Sequence, residues 1–136
     1  GLSMGGFGAL RLAGKHPRRI AAAAALSAVT EAEQLDDLME ESTAGRAGWS
    51  SLPADRSVLA ALTGASGPLP PLRIDCGRDD PFLEANRALH RAREQAGVGH
   101  LYAEGPGGHD WPYWARTLED TLAFFGHVLQ SRAREG

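Results

Sequence analysis

The stretch Gly1-Leu2-Ser3-Met4-Gly5-Gly6-Phe7-Gly8-Ala9-Leu10 sets a serine between glycines two residues before and two residues after it. A serine nucleophile needs its hydroxyl exposed on a tight strand-to-helix turn, and glycines at those positions let neighbouring backbone approach without a Cβ in the way. In that geometry the backbone N–H of Met4, at the helix start, points at a developing oxyanion. The competing reading is a Gly-rich loop that happens to contain serine: with 17 Gly, roughly one chain in ten of this composition would carry the pattern by chance. The helical pattern directly behind it favours the turn. The strand that should feed such a turn has no room before Gly1, so the sequence is expected to be the C-terminal part of a longer domain, and the compartment stays open.

Outward from that turn, Gly5 to Lys15 reads as a helix with Phe7, Leu10 and Gly14 on one side, stopped by Pro17. Ile20 to Val29 is apolar throughout and reads as a buried parallel strand, although five consecutive alanines are poor strand formers. Glu31 to Glu41 reads as a helix with Leu35, Leu38 and Met39 inward. Ser/Gly-rich turns at 42–51, a short helix near Asp55 to Leu62 and a Gly/Pro loop from Gly64 to Pro71 follow. Residues 30–71 as a whole are expected to line the substrate pocket. Leu72 to Gly77 alternates like a strand, Glu84 to Ala96 is helical with Leu83, Ala88, Leu89 and Ala92 inward, and His100 to Glu104 is a short strand. Pro112 to Arg132 is a long closing helix whose expected buried stripe is Leu118, Leu122, Phe125 and Leu129. Strands alternating with helices predict a single α/β unit over 1–136 with a mostly parallel sheet.

The composition removes other classes. A net charge of −3 with scattered arginines carries no nucleic-acid footprint. The lone Cys76 excludes an internal disulfide framework and a CxxC metal or redox motif. No apolar stretch approaches the ~18 residues of a membrane span. No metal and no organic cofactor are implied, and oligomeric state, a homo-oligomer included, is not legible.

Two later segments bear on the serine. Cys76-Gly77-Arg78-Asp79-Asp80-Pro81-Phe82 follows a predicted strand, where a loop at the sheet's C-terminal edge can aim a carboxylate at a histidine. Asp79 and Asp80 both qualify by position, and helix capping ahead of Pro81 competes with either role. Gly107-Gly108-His109-Asp110-Trp111 follows the last strand, and its Gly-Gly turn can carry His109 to a cleft. The other four histidines suit helices or a strand start, and Asp110 suits a helix N-cap. Trp111 and Trp114 read as packing or as walls of an acyl pocket. The order Ser3, Asp80, His109 is that of the α/β-hydrolase fold, not of chymotrypsin or subtilisin.

These segments resemble the esterase-D-type "putative esterase" group of α/β hydrolases, which includes S-formylglutathione hydrolases, feruloyl and acetyl-xylan esterases, enterochelin esterases and mycolyltransferases. Gly1 to Leu10 is similar to the group's elbow, Cys76-Gly77-x-x-Asp80-x-Phe82-Leu83 to its acid segment, and Gly107-Gly108-His109-Asp110-Trp111-x-x-Trp114 to its histidine segment. The resemblance selects Asp80 over Asp79 and implies hydrolysis of a small-molecule carboxylic or thiol ester by Ser3, Asp80 and His109. It also implies a second oxyanion donor from an N-terminal half outside this sequence. Acyl transfer of the mycolyltransferase type and a non-catalytic remnant are the alternatives; an aspartate at position 80 leans away from the former, whose acid is glutamate.

Overall fold

The structure, a computed structural model, describes residues 1–38 and 50–136. Helix α1 (Met4–Lys15) leads to strand β1 (Ala23–Leu26), a 3-10 helix (Ala32–Asp37) and two short helices, α2 (Pro53–Arg56) and α3 (Val58–Thr63). Strand β2 (Leu72–Gly77), helix α4 (Leu83–Gln95), strand β3 (Leu101–Gly105) and helix α5 (Trp111–Glu135) complete the chain. The strands form one parallel sheet in the order β1-β2-β3. Leu2 extends it with a parallel bridge to Leu26, so the chain enters the Ser3 turn already in register with β1. None of the helices among the described residues is long and apolar enough to cross a membrane.

Alanine forms β1 because of what lies against it. A Cβ on Gly6 would sit 3.1–3.2 Å from the Cβ atoms of Ala28 and Ala25, so α1 approaches the strand closely only where both sides are small. The helix on the far side is closer still: a Cβ on Gly14 would lie 2.3 Å from the Ala61 carbonyl oxygen in α3. Phe7, Leu10, Val29, Val58, Ile74 and Leu89 fill the core between α1, α3, α4 and the sheet. At roughly 25 cal/mol per Å² of apolar surface removed from water, this layer is the main stabilising contribution.

Several elements depart from the sequence expectation. β1 is shorter than Ile20 to Val29: Ser27 turns with φ 50°, and β2 offers no ladder donor before Leu72 because Pro71 lacks an N–H. The helix near Asp55 to Leu62 is split at Ser57, whose backbone is extended and whose hydroxyl accepts from the Ala60 N–H at 3.2 Å as an N-cap. Leu38 is exposed rather than inward, since the 3-10 helix ends at Asp37. Met39 and most of the expected 42–51 turns lie outside the described residues.

On α4 the buried face carries Leu83, Asn86, Leu89 and Arg93, leaving Ala88 exposed and Ala92 half-buried. An apolar-only pattern misses Asn86, whose amide donates to the carbonyls of Ala28 and Phe82 at 2.9 and 3.0 Å. On α5 the expected stripe is overturned. Leu118, Leu122 and Leu129 are exposed and Phe125 is half-buried, while Tyr113, Thr121 and Val128 are buried. Periodicity finds an apolar face but not its rotation. Here the Tyr113 hydroxyl fixes the rotation by donating to Asp75, a buried carboxylate on β2 that also accepts from Arg73 at 2.7 Å. Burial raises the Asp75 carboxyl above its ordinary value, and Arg73 works against that shift.

Tyr113→Phe leaves the buried Asp75 short of a donor. The expected outcome is a loss of about 1–3 kcal/mol, read from the midpoint of chemical denaturation with an unchanged slope.

Candidate active site

The C-terminal ends of the strands and the Ser3 turn converge on one point, where open α/β sheets bind their ligands. Ser3 stands between Leu2 and α1 with φ 52° and ψ −121°, a backbone state that a serine adopts only when its surroundings enforce it. They do so from both sides. The Ser3 N–H donates to the Leu26 carbonyl at 2.9 Å, and the Ser3 carbonyl accepts from the N–H groups of Val29 and Phe7 at 3.2 Å each. Of the two glycines flanking the serine, Gly1 is the one sterically required: a Cβ there would lie 2.3 Å from the Gly5 carbonyl oxygen, whereas a Cβ on Gly5 meets open space. Met4 opens α1, and a first-turn N–H has no helical carbonyl behind it to bond.

Asp80 and Asp79 separate clearly. Asp80 is buried, and its Oδ1 accepts from the Phe82 N–H at 2.8 Å, which fixes the carboxylate in an Asx turn. Its Oδ2 lies 2.9 Å from His109 Nδ1. Asp79 is exposed, and its N–H donates to the Gly107 carbonyl at 2.9 Å. His109 Nε2 in turn lies 2.9 Å from Ser3 Oγ. The three side chains singled out in the sequence thus stand in one hydrogen-bonded chain from hydroxyl to imidazole to carboxylate.

Glycine makes the histidine and acid loops fit. A Cβ on Gly77 would fall 2.3 Å from the Gly107 carbonyl oxygen. That approach lets the Arg78 N–H reach the Gly105 carbonyl at 2.8 Å. Gly107 itself has φ 125°, open to glycine and strained for other residues. Asp110 caps α5 as expected, accepting from the Tyr113 N–H at 3.0 Å.

The imidazole is packed by aromatic rings. Phe82 and Trp114 each meet it in T-shaped contacts, with centroids at 5.3 and 5.0 Å, and Trp111 meets Trp114 the same way at 5.2 Å. A cavity of about 310 Å³ beside His109 is bordered by Gln34, Leu38, Pro81 and Phe82. Trp111 and Trp114 do not border it, and Trp111 is 70% exposed. Neither Gln34, which lies in the 30–71 section, nor Phe82, which lies in the acid segment, is given a role of its own by the sequence. Cys76 is buried one strand position from the acid loop, and burial, with Asp80 and Asp75 nearby, pushes its thiol up to about 12. A thiol so far from ionising is no rival nucleophile.

A parallel sheet with flanking helices, a strained serine turn and an acid and a histidine on successive strand-end loops define an α/β hydrolase. The chain belongs to the family described as "Putative esterase", whose model matches residues 1–125. It is similar to an acetyl esterase from Caldicellulosiruptor saccharolyticus, with 28% identity across 94% of this chain and 53% of that one. Among solved structures it is similar to an S-formylglutathione hydrolase from Staphylococcus aureus (TM-score 0.80, 27% identity, 91% of this chain and 52% of that one). It also matches a ferulic acid esterase (TM-score 0.76, 28% identity, 94% of this chain and 50% of that one). The chain spans about half the length of these relatives.

Gly77→Ala sets a Cβ against backbone that cannot yield without parting the two loops. The expected outcome is a thermal destabilisation of about 1–3 kcal/mol or more. An alanine tolerated without a change in melting temperature would contradict the close approach.

Proposed function

We propose that the protein hydrolyses carboxylic or thiol esters of small molecules through an acyl-enzyme intermediate. The observation that carries this reading is the relay of two 2.9 Å contacts linking Ser3 Oγ, His109 and Asp80. His109 Nε2 takes the proton as Ser3 Oγ attacks the ester carbonyl, and the resulting imidazolium returns it to the departing alkoxide or thiolate. Asp80 holds the Nδ1–H tautomer and stabilises the imidazolium, while the Met4 N–H donates to the oxyanion. Water, deprotonated by the same Nε2, then attacks the acyl carbon and releases the acid and Ser3.

The relatives' names suggest the substrates to try: acetyl, feruloyl and S-formyl esters. The cavity of about 310 Å³ has room for any of these acyl groups, and Leu38, Pro81 and Phe82 offer an apolar lining. We further propose that residues 1–136 are the C-terminal portion of one hydrolase domain, with 30–71 contributing to its pocket. The length of the relatives supports this, as do the exposed leucines of α5, which lie on a helix face suited to further packing.

The test is ester turnover by the complete domain. Ser3→Ala and His109→Ala are expected to remove almost all activity, and Asp80→Asn to lower kcat by roughly 10⁴-fold through the wrong histidine tautomer. Asp79→Asn should stay within about twofold, because an exposed side chain away from the relay has little to lose. A severe Asp79→Asn beside a mild Asp80→Asn would overturn the assignment.

A further inference from the structure

Ser27 does not belong to the relay, yet it is the second non-glycine residue with positive φ among those described, and its side chain is fully buried. Its hydroxyl oxygen accepts a hydrogen bond from the indole N–H of Trp114 at 3.0 Å. Its N–H donates to the Asp75 carbonyl at 2.7 Å, so the turn is held to the central strand. Residues on either side of it help to hold the nucleophile, Leu26 through its carbonyl and Val29 through its N–H. A strained, buried serine at the end of a strand thus spends its hydroxyl on one indole, and that indole packs at right angles to His109.

We propose that Ser27 and Trp114 are positioning residues that keep His109 aimed once Ser3 has been acylated. The inference rests on the acyl-enzyme reading. In the free enzyme Nε2 has Ser3 Oγ as a partner, but in the acyl-enzyme that oxygen is esterified and its hydrogen is gone. The imidazole is then fixed at Nδ1 by Asp80 alone, a single contact about which the ring can swing. Phe82 and Trp114 restrict that swing, and Trp114 can do so only if its own rotamer is locked. The Ser27 hydroxyl locks it, tying the wall of the histidine to the same turn that fixes the serine. Loss of the lock therefore falls on deacylation, when His109 must meet water, more than on acylation, when Ser3 itself orients the ring.

The variants are chosen to remove the link and little else. Ser27→Gly deletes the acceptor at a backbone angle that glycine adopts freely, and Trp114→Phe keeps an aromatic ring but no N–H. In pre-steady-state kinetics of the complete domain with p-nitrophenyl acetate, each should slow deacylation about tenfold, the scale of one net hydrogen bond. Acylation should stay within threefold, so a burst of p-nitrophenol grows. The double variant should be no slower than the slower single one, because both remove the same interaction. Equal losses in both steps, multiplicative losses in the double variant, or unchanged deacylation would each overturn the proposal. Should Trp114→Phe fail to fold, the step-specific loss in Ser27→Gly decides alone. A burst that survives Ser3→Ala would instead sink the acyl-enzyme reading beneath it.

Discussion

The site is built around the strained backbone of Ser3. A serine at φ 52° costs on the order of 1–3 kcal/mol and persists only where its neighbours over-determine it. Here the determination comes from the end of β1: the Leu26 carbonyl and the Val29 N–H grip the serine's own N–H and carbonyl. That grip exists only if Leu2 and Leu26 are in parallel register, which requires α1 to lie close on an alanine strand, which in turn requires Gly6. The small residues near the start of the chain are thus one connected requirement.

The same economy governs the other side of the site. Gly77 and Gly107 bring the acid and histidine loops to backbone contact, and Asp80 gains its orientation from the adjacent Phe82 N–H rather than from a remote partner. Asp79, one residue away, points to solvent and contributes only backbone. Two neighbouring carboxylates therefore differ in environment, and only the buried one faces the imidazole. Aromatic rings from Phe82 and Trp114 complete the surroundings of His109 without competing for its nitrogens.

Much of this was legible in the sequence because it is local. The serine turn, the strand at Leu72 to Gly77, the strand-end loops and the chain order of Ser3, Asp80 and His109 all rest on short-range patterns. The choice between Asp79 and Asp80 was not local, and only a family resemblance made it. What failed was orientation. The rotation of α5 follows from one bond between Tyr113 and Asp75, residues 38 apart, and no periodicity carries that information. The inner face of α4 was misjudged for a related reason: Asn86 is buried because it serves carbonyls at Ala28 and Phe82, whose proximity is a product of the fold. Ser27 offered no sign of its role, since a serine after an alanine run reads only as the end of a strand.

The central claim is that Ser3 is an activated nucleophile. The most direct test is to treat the complete domain with a fluorophosphonate and locate the adduct by peptide mass spectrometry. One adduct per chain is expected, on the peptide carrying Ser3, and it is expected to be lost in His109→Ala. A folded protein that takes up no label, or takes it up on another serine, would contradict the account.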